Sequence, residues 1–277
     1  MKRGLSIFGV LFAIIACVAP GENKENSAQT GVARKVQTLY TSADVVAKNS
    51  FCSPDMVEIN GDYCPTVKQH CMKWRNDVEG ERCEVWDTRV DCVSATIVHK
   101  KYCIDRFEYP NKVGELPQDW MSWDDVKKSC ESIGKRICTR SEWTFAAEGP
   151  GRHPYPYGDG FHRDNTICNF DNHVAAIGIT GDDVMKVSDP KSEVADKLRS
   201  LLVPSGERPE CVSDWGVHDM SGNIDEWVVN ESGKPYVSGL MGGHVFGVRN
   251  ASRPMTDAHA PWFFWYETGG RCCKDAT

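Results

Sequence analysis

No Cys-x-x-Cys pair occurs in the 277-residue chain, although it holds 13 cysteines. Structural zinc sites and thioredoxin-type dithiols use that spacing, so neither is expected. A phosphate-cradling glycine loop, a Gly-x-Ser-x-Gly elbow and a His-Glu-x-x-His helix are also missing. Positive charge is in deficit. The formal net charge is −7, which argues against a nucleic-acid partner, because reading phosphates needs a basic face. The apolar run at residues 4–16 is too short to span a bilayer permanently.

That run follows Lys2 and Arg3, and the combination reads as a signal peptide over residues 1–16. It ends Ile14-Ile15-Ala16-Cys17, which resembles a bacterial lipobox. The resemblance implies that Cys17 is lipidated and anchors the protein to the cell envelope. Val18 follows, where an acidic residue would suggest inner-membrane retention, so the outer membrane is the expected address. Export predicts an oxidising compartment, and removing Cys17 leaves an even 12 cysteines for a disulfide framework.

Residues 17–50 are polar and read as a tether. Residues 51–101 carry Cys52, Cys64, Cys71, Cys83 and Cys92, with Cys103 just beyond. Helical periodicity is weak there, and short strands are expected at 55–60 and 94–98, stapled by disulfides rather than by a large core. From Tyr102 the pattern becomes regular. Ser122 and Asp125 form a capping box that opens a helix with Trp123, Val126, Cys130 and Ile133 on one face, ending at Gly134. Thr139 and Glu142 repeat the box before a second short helix through Trp143, Phe145 and Ala146. Residues 172–210 look inserted, with a surface helix over 192–202 that carries Val194, Leu198, Leu201 and Leu202 on one side.

Four stretches line up in order. They are Gly134-Lys135-Arg136-Ile137-Cys138-Thr139-Arg140-Ser141-Glu142-Trp143, Tyr155-Pro156-Tyr157-Gly158-Asp159, the run from Trp215 through Asp219-Met220-Ser221-Gly222-Asn223-Ile224-Asp225-Glu226-Trp227, and Gly269-Gly270-Arg271-Cys272. Together they resemble the formylglycine-generating enzyme, or sulfatase-modifying factor, family, over about residues 102–277. The resemblance implies an α+β fold, a variant of the C-type lectin fold: loop-rich, with two main helices, short sheets and disulfide staples.

The family's oxidases hold copper on two cysteines five residues apart, after a turn of the pattern GGSW. Here the turn reads Gly242-Gly243-His244-Val245, and no cysteine lies between 212 and 271. Copper(I) favours soft thiolates, so copper is not expected. Iron needs grouped histidines with a carboxylate, and none of the eight histidines forms a close helical pair. A surface place is the default for each of them. His244 and His259 flank the segment that faces substrate in the family, Arg249 and Arg253 resemble the two arginines of its later Arg-x-x-x-Arg stretch, and these four are the residues to watch for remaining chemistry. Glu142 invites a general-base role, which its capping box explains away. Asp105, Arg106 and Glu108 read as a surface ion cluster.

Family resemblance pairs Cys130 with Cys272. Adjacent cysteines on a strand point to opposite faces, so Cys273 needs another partner, and spacing gives it Cys138. Cys168 with Cys211 would close the insertion. In the family the loop at residues 222–227 can bind structural calcium. Carried over, Glu226 supplies a carboxylate, Gly222 and Ile224 supply carbonyls, and Asn169, Phe170 and Asp171 form a second site. The alternative is a turn locked by Trp227, with Glu226 bonded to nearby amides. Asp225 stands where the family usually has tryptophan.

The expectation is thus a lipid-anchored envelope protein with a non-catalytic domain that binds a small ligand or an envelope protein. Its rival is a metal-dependent oxidoreductase with a divergent active site. The aromatic run Trp262-Phe263-Phe264-Trp265-Tyr266 offers a ligand surface or, as the commoner case, a buried strand.

Overall fold

The computed structural model describes residues 51–77, 82–247 and 249–276. The signal peptide, Cys17 and the tether lie outside the described residues. Strand β1 (Met56–Tyr63) pairs antiparallel with β6 (Val98–Asp105) along its whole length, Met56 opposite Asp105 and Tyr63 opposite Val98. The boundary at 101/102 therefore falls inside β6, and the cysteine-rich stretch shares a sheet with the C-terminal part of the chain. The strand expected at 94–98 does not form. Val93 and Ile97 face solvent, so that stretch has no apolar face to bury, and only Val98 enters β6.

Strand β12 (Cys272–Asp275) lies beside β6, and β7 (Arg136–Ile137) beside β12, which gives an antiparallel order β1-β6-β12-β7. A second sheet has the order β10-β9-β8-β11, from Met255–Thr256, Ser238–Met241, Asp225–Val229 and Thr268–Gly270. Within it β8 pairs parallel with β11 and antiparallel with β9. Two further short antiparallel ladders form among the described residues, the second of them a hairpin. They are β2 (Val67–Lys68) with β5 (Asp91–Cys92), and β3 (Cys71–Trp74) with β4 (Cys83–Trp86).

Helix α1 spans Trp123–Ser132 and α2 spans Arg140–Glu148. Both capping boxes are made. Ser122 Oγ accepts from Asp125 N at 3.1 Å while Asp125 returns the bond at 3.0 Å. Thr139 and Glu142 do the same at 3.3 and 2.8 Å. Each box satisfies two amides that have no partner within the helix, which stabilises the start by about 1 kcal/mol. Trp143, Phe145 and Ala146 of α2 pack with Ile59, Ile104, Met220, Val228 and Met241 in the main core. Trp123 and Val126 of α1 meet Trp227 and Leu240 in a second. Each fully buried large side chain contributes roughly 1.5–3 kcal/mol.

All twelve described cysteines are bonded: Cys52–Cys103, Cys64–Cys92, Cys71–Cys83, Cys130–Cys272, Cys138–Cys273 and Cys168–Cys211. The adjacent pair on β12 thus fastens α1 from one face and the entrance to α2 from the other. The insertion builds its own small core from Ile179, Val184, Val187, Ala195, Leu198 and Tyr266. It holds two helices, α3 (Gly181–Lys186) and α4 (Glu193–Arg199). The second is shorter than 192–202, because the chain turns after Ser200 to bury Leu202.

The aromatic run at 262–266 is not a strand. Trp262 is 72% exposed and Phe264 48%, while Phe263 packs on Trp227 and Tyr266 enters the insertion core. A turn at residues 261–262 breaks the alternation, so the run divides between solvent and core. Among the described residues no helix is long and apolar enough to cross a membrane.

Candidate functional site

The turn before β8 is shaped by close contact. Gly222 has φ +80°, and a Cβ there would stand 2.3 Å from the Asn169 carbonyl oxygen. Asn223 also has positive φ, which asparagine tolerates better than most residues. Asn223 N donates to Asn169 O at 2.8 Å, locking the turn against the 168–171 loop. Strand β8 then sends Asp225 and Glu226 to opposite sides, and both are buried.

Glu226 meets Arg271. Arg271 Nε donates to Oε2 at 2.9 Å and Nη2 to Oε1 at 2.8 Å, and Trp143 Nε1 adds a third donor at 2.8 Å. Arg271 also donates to the carbonyls of Asp105 and His218. Burial, with Asp219 and Glu226 as like-charged neighbours, holds the Glu108 carboxyl well above its usual range. Burial pushes Asp219 to about 6. One guanidinium thus serves three carboxyl groups.

This geometry does not fit calcium at residues 222–227. Three donors already occupy the Glu226 carboxylate, and a cation there would face Arg271 at close range. The second set fares no better. Asp171 is held by Arg163 and by Arg75, the latter at 2.6 Å, and Asn169 Nδ2 donates to Leu201 O and Asn223 Oδ1. Sequence pattern supplied the right residue types but could not show that arginines take the carboxylates. The ion cluster expected at the surface has its two carboxyl groups in the interior. Asp105 and Glu108 are fully buried, Asp105 against Lys135 at 2.6 Å and Glu108 under Asn223 at 2.9 Å.

On the other side of β8, Asp225 Oδ1 accepts from Gly243 N and Oδ2 from Arg249 Nη2, each at 3.0 Å. His244 is buried rather than on the surface, with Nε2 3.0 Å from Glu267 Oε2. Asp225, His244 and Glu267 present their ligand atoms within 4.8 Å of one another. Burial opposes charge on His244, but Glu267 and then Asp225 outweigh it and raise its pKa. Burial lifts Asp225 to about 6. The family pattern had pointed to Asp225 and His244 as departures; Glu267 carried no signal.

The remaining watched residues separate. Arg253 forms a bidentate pair with Glu148, both bonds 2.6 Å, and donates to the carbonyls of Cys64 and Pro65. His259 stacks on Phe263 at 3.9 Å, where burial lowers its pKa. Glu142 is held by Arg136 at 2.8 and 2.7 Å as well as by its capping box.

Beside this buried network lies an open cleft of about 660 Å³, lined by Trp74, Arg75, Trp86, Tyr155, Arg249 and Asn250 among others. Its outer wall is the β3–β4 hairpin, stapled by Cys71–Cys83. The hairpin docks through Trp86 N to Phe161 O and Arg163 N to Glu84 O, both 2.9 Å, and through Tyr155 OH to Cys83 O at 2.5 Å. These residues are far apart in sequence, and no motif joins them.

Residues 54–276 match the family model described as sulfatase-modifying factor enzyme 1-like domain. Two curated relatives are similar, the inactive C-alpha-formylglycine-generating enzyme 2 of Bos taurus and that of Mus musculus. The first is 28% identical over 118 residues, covering 42% of this chain and 34% of the relative. The second is 28% identical over 117 residues, covering 42% and 32%. The chain thus spans about a third of their length. The crystal structure of CarF superposes with a TM-score of 0.50 at 15% identity, covering 80% of this chain and 98% of CarF. PvdO from Pseudomonas aeruginosa gives 0.47 at 17% identity, covering 82% and 97%. The fold is the α+β, C-type-lectin-like one, and the chain belongs to the sulfatase-modifying factor family.

Proposed function

We propose that this protein is a non-catalytic, ligand-binding member of its family, held at the bacterial outer membrane by a lipid on Cys17. One observation carries the non-catalytic part. Three of the four residues that could still do chemistry are closed in ion pairs, His244 with Glu267, Arg249 with Asp225 and Arg253 with Glu148, and the fourth, His259, is stacked on Phe263. No cysteine is free there for copper, because Cys272 and Cys273 are both in disulfides. The curated relatives carry the word inactive in their names, which agrees with this reading. The open cleft beside the closed network is the place for a ligand.

The test is incubation with Cu(I) and a cysteine-containing peptide under oxygen, with aldehyde formation read by mass spectrometry. The expected result is unmodified peptide; turnover would overturn the reading. For the anchor, the mature protein should carry a diacylglycerol mass on Cys17 and lose membrane association on Cys17→Ser. A second reading has one observation in its favour. The Asp225–His244–Glu267 group offers one imidazole and two carboxylates within 4.8 Å, a donor set that suits a divalent transition metal. Against it, Arg249 and the Gly243 amide already hold Asp225, and Phe246 N donates to His244 Nδ1 at 3.4 Å.

A further inference from the structure

The cleft combines aromatic walls with incompletely used cations. Trp74 and Trp86 come from the two strands of the stapled hairpin, and Trp86 packs against the buried cluster that holds Tyr155. Arginine has five N–H donors. The bonds described for Arg75 use Nη1 alone, on Asp171, and those for Arg249 use Nη2 alone, on Asp225. The two side chains are 26% and 28% exposed. Arg249 Nε is buried without an acceptor, and Asn250 Oδ1, at the same wall, is buried without a donor. Both residues line the cleft, so its wall holds buried polar atoms with no partner among the described residues. Arg163 is different: its guanidinium is bound by Asp171 and lies over the Phe170 ring, which leaves it as scaffold.

We propose that the cleft binds a small aromatic oxyanion: a flat aryl body against Trp74 and Trp86, with its negatively charged oxygens on Arg75 and Arg249. Planar guanidinium groups match carboxylate, sulfate and phosphate oxygens. Aromatic faces accept a ring in stacked or edge-on contact. The cavity volume lies in the range of small-molecule sites. The inference rests on the ligand-binding reading given above and names the class of ligand.

The experiment is a ¹H–¹⁵N spectrum of the mature protein, following the indole N–H signals of Trp74 and Trp86, assigned through Trp74→Phe and Trp86→Phe. The probes are N-acetyl-L-phenylalanine, phenyl sulfate and phenyl phosphate. Controls are N-acetyl-L-phenylalaninamide, which lacks the charge, and acetate and inorganic sulfate, which lack the ring. At least one aromatic oxyanion should shift both signals saturably at millimolar concentration or below, and the controls should bind at least tenfold more weakly. The three probes then rank carboxylate, sulfate and phosphate. Arg75→Ala should weaken the best probe tenfold or more with the rest of the spectrum unchanged, which separates lost binding from lost folding. The proposal fails if no aromatic oxyanion shifts these signals. It fails equally if the amide or the ring-free anions bind as well as the probes. Chemical consumption of a bound probe would instead overturn the non-catalytic reading, so the two failures are distinct.

Discussion

Arg271→Met should be far more destabilising than Glu226→Gln, although both break the same ion pair. Arg271 is fully buried and is the cation in direct contact with Glu226, with Glu108 and Asp219 also within its field. Removing it leaves a carboxylate without its counter-charge and two carbonyls without a donor. Breaking a buried pair in this way costs roughly 3–5 kcal/mol. Glu226→Gln leaves a neutral amide in the same volume. Arg271 keeps its bonds to the carbonyls of Asp105 and His218, and Glu108 can ionise to balance it. The cost should then be that of weakened hydrogen bonds, about 1–3 kcal/mol. Equilibrium urea unfolding at pH 7, with disulfides intact and tryptophan fluorescence as the probe, reads both. In heating experiments the larger loss corresponds to roughly 6–20 °C for a domain of this size. Equal losses, or a larger loss for Glu226→Gln, would refute the idea that one guanidinium balances several carboxyl groups.

The same contacts set three other expectations. Asp219 has its folded pKa raised to about 6 by burial. Its contribution is therefore present at acid pH and lost as pH rises from about 4 through about 6. Asp219→Asn, which keeps the acceptor for Gly206 N and tolerates the positive φ, should gain stability relative to the parent over that window; a constant difference from pH 4 to 7 would contradict this. Cys138→Ser with Cys273→Ser opens a bridge across a sequence separation of 135 and should cost about 2–4 kcal/mol in urea; no loss would show that packing alone holds β12. Millimolar calcium, or its removal with EDTA, should leave the melting temperature unchanged, since arginines hold Glu226 and Asp171. A calcium-dependent rise of several degrees would reinstate the metal loop.

Much of the framework was legible because it is local. Ser122 with Asp125 and Thr139 with Glu142 announce their helices within four residues, and the structure makes both boxes. Gly134 ends α1 with positive φ, as its place in the pattern suggests. The four ordered motifs pointed to the family that the match over residues 54–276 shows. The functional surfaces were less legible because they are assembled from a distance. Nothing near Glu226 in sequence shows that Arg271 will take its carboxylate. Trp74 and Trp86 become cleft walls only when a disulfide closes their hairpin and Tyr155 receives it. Helical spacing is the wrong filter for His244 and Glu267, which meet through loops flanking two strands. The run at 262–266 misled because a continuous apolar stretch has the same composition whether it is buried or split by a turn.

If ion pairs close the segment facing the family's substrate, as proposed, the protein should hold no transition metal. Elemental mass spectrometry of the purified mature protein after exhaustive dialysis tests it most directly. The expected result is far less than one copper, iron, manganese or zinc per chain, with no change on His244→Ala. Near-stoichiometric metal that disappears with His244→Ala or Glu267→Gln would contradict it and assign a metal centre to Asp225, His244 and Glu267.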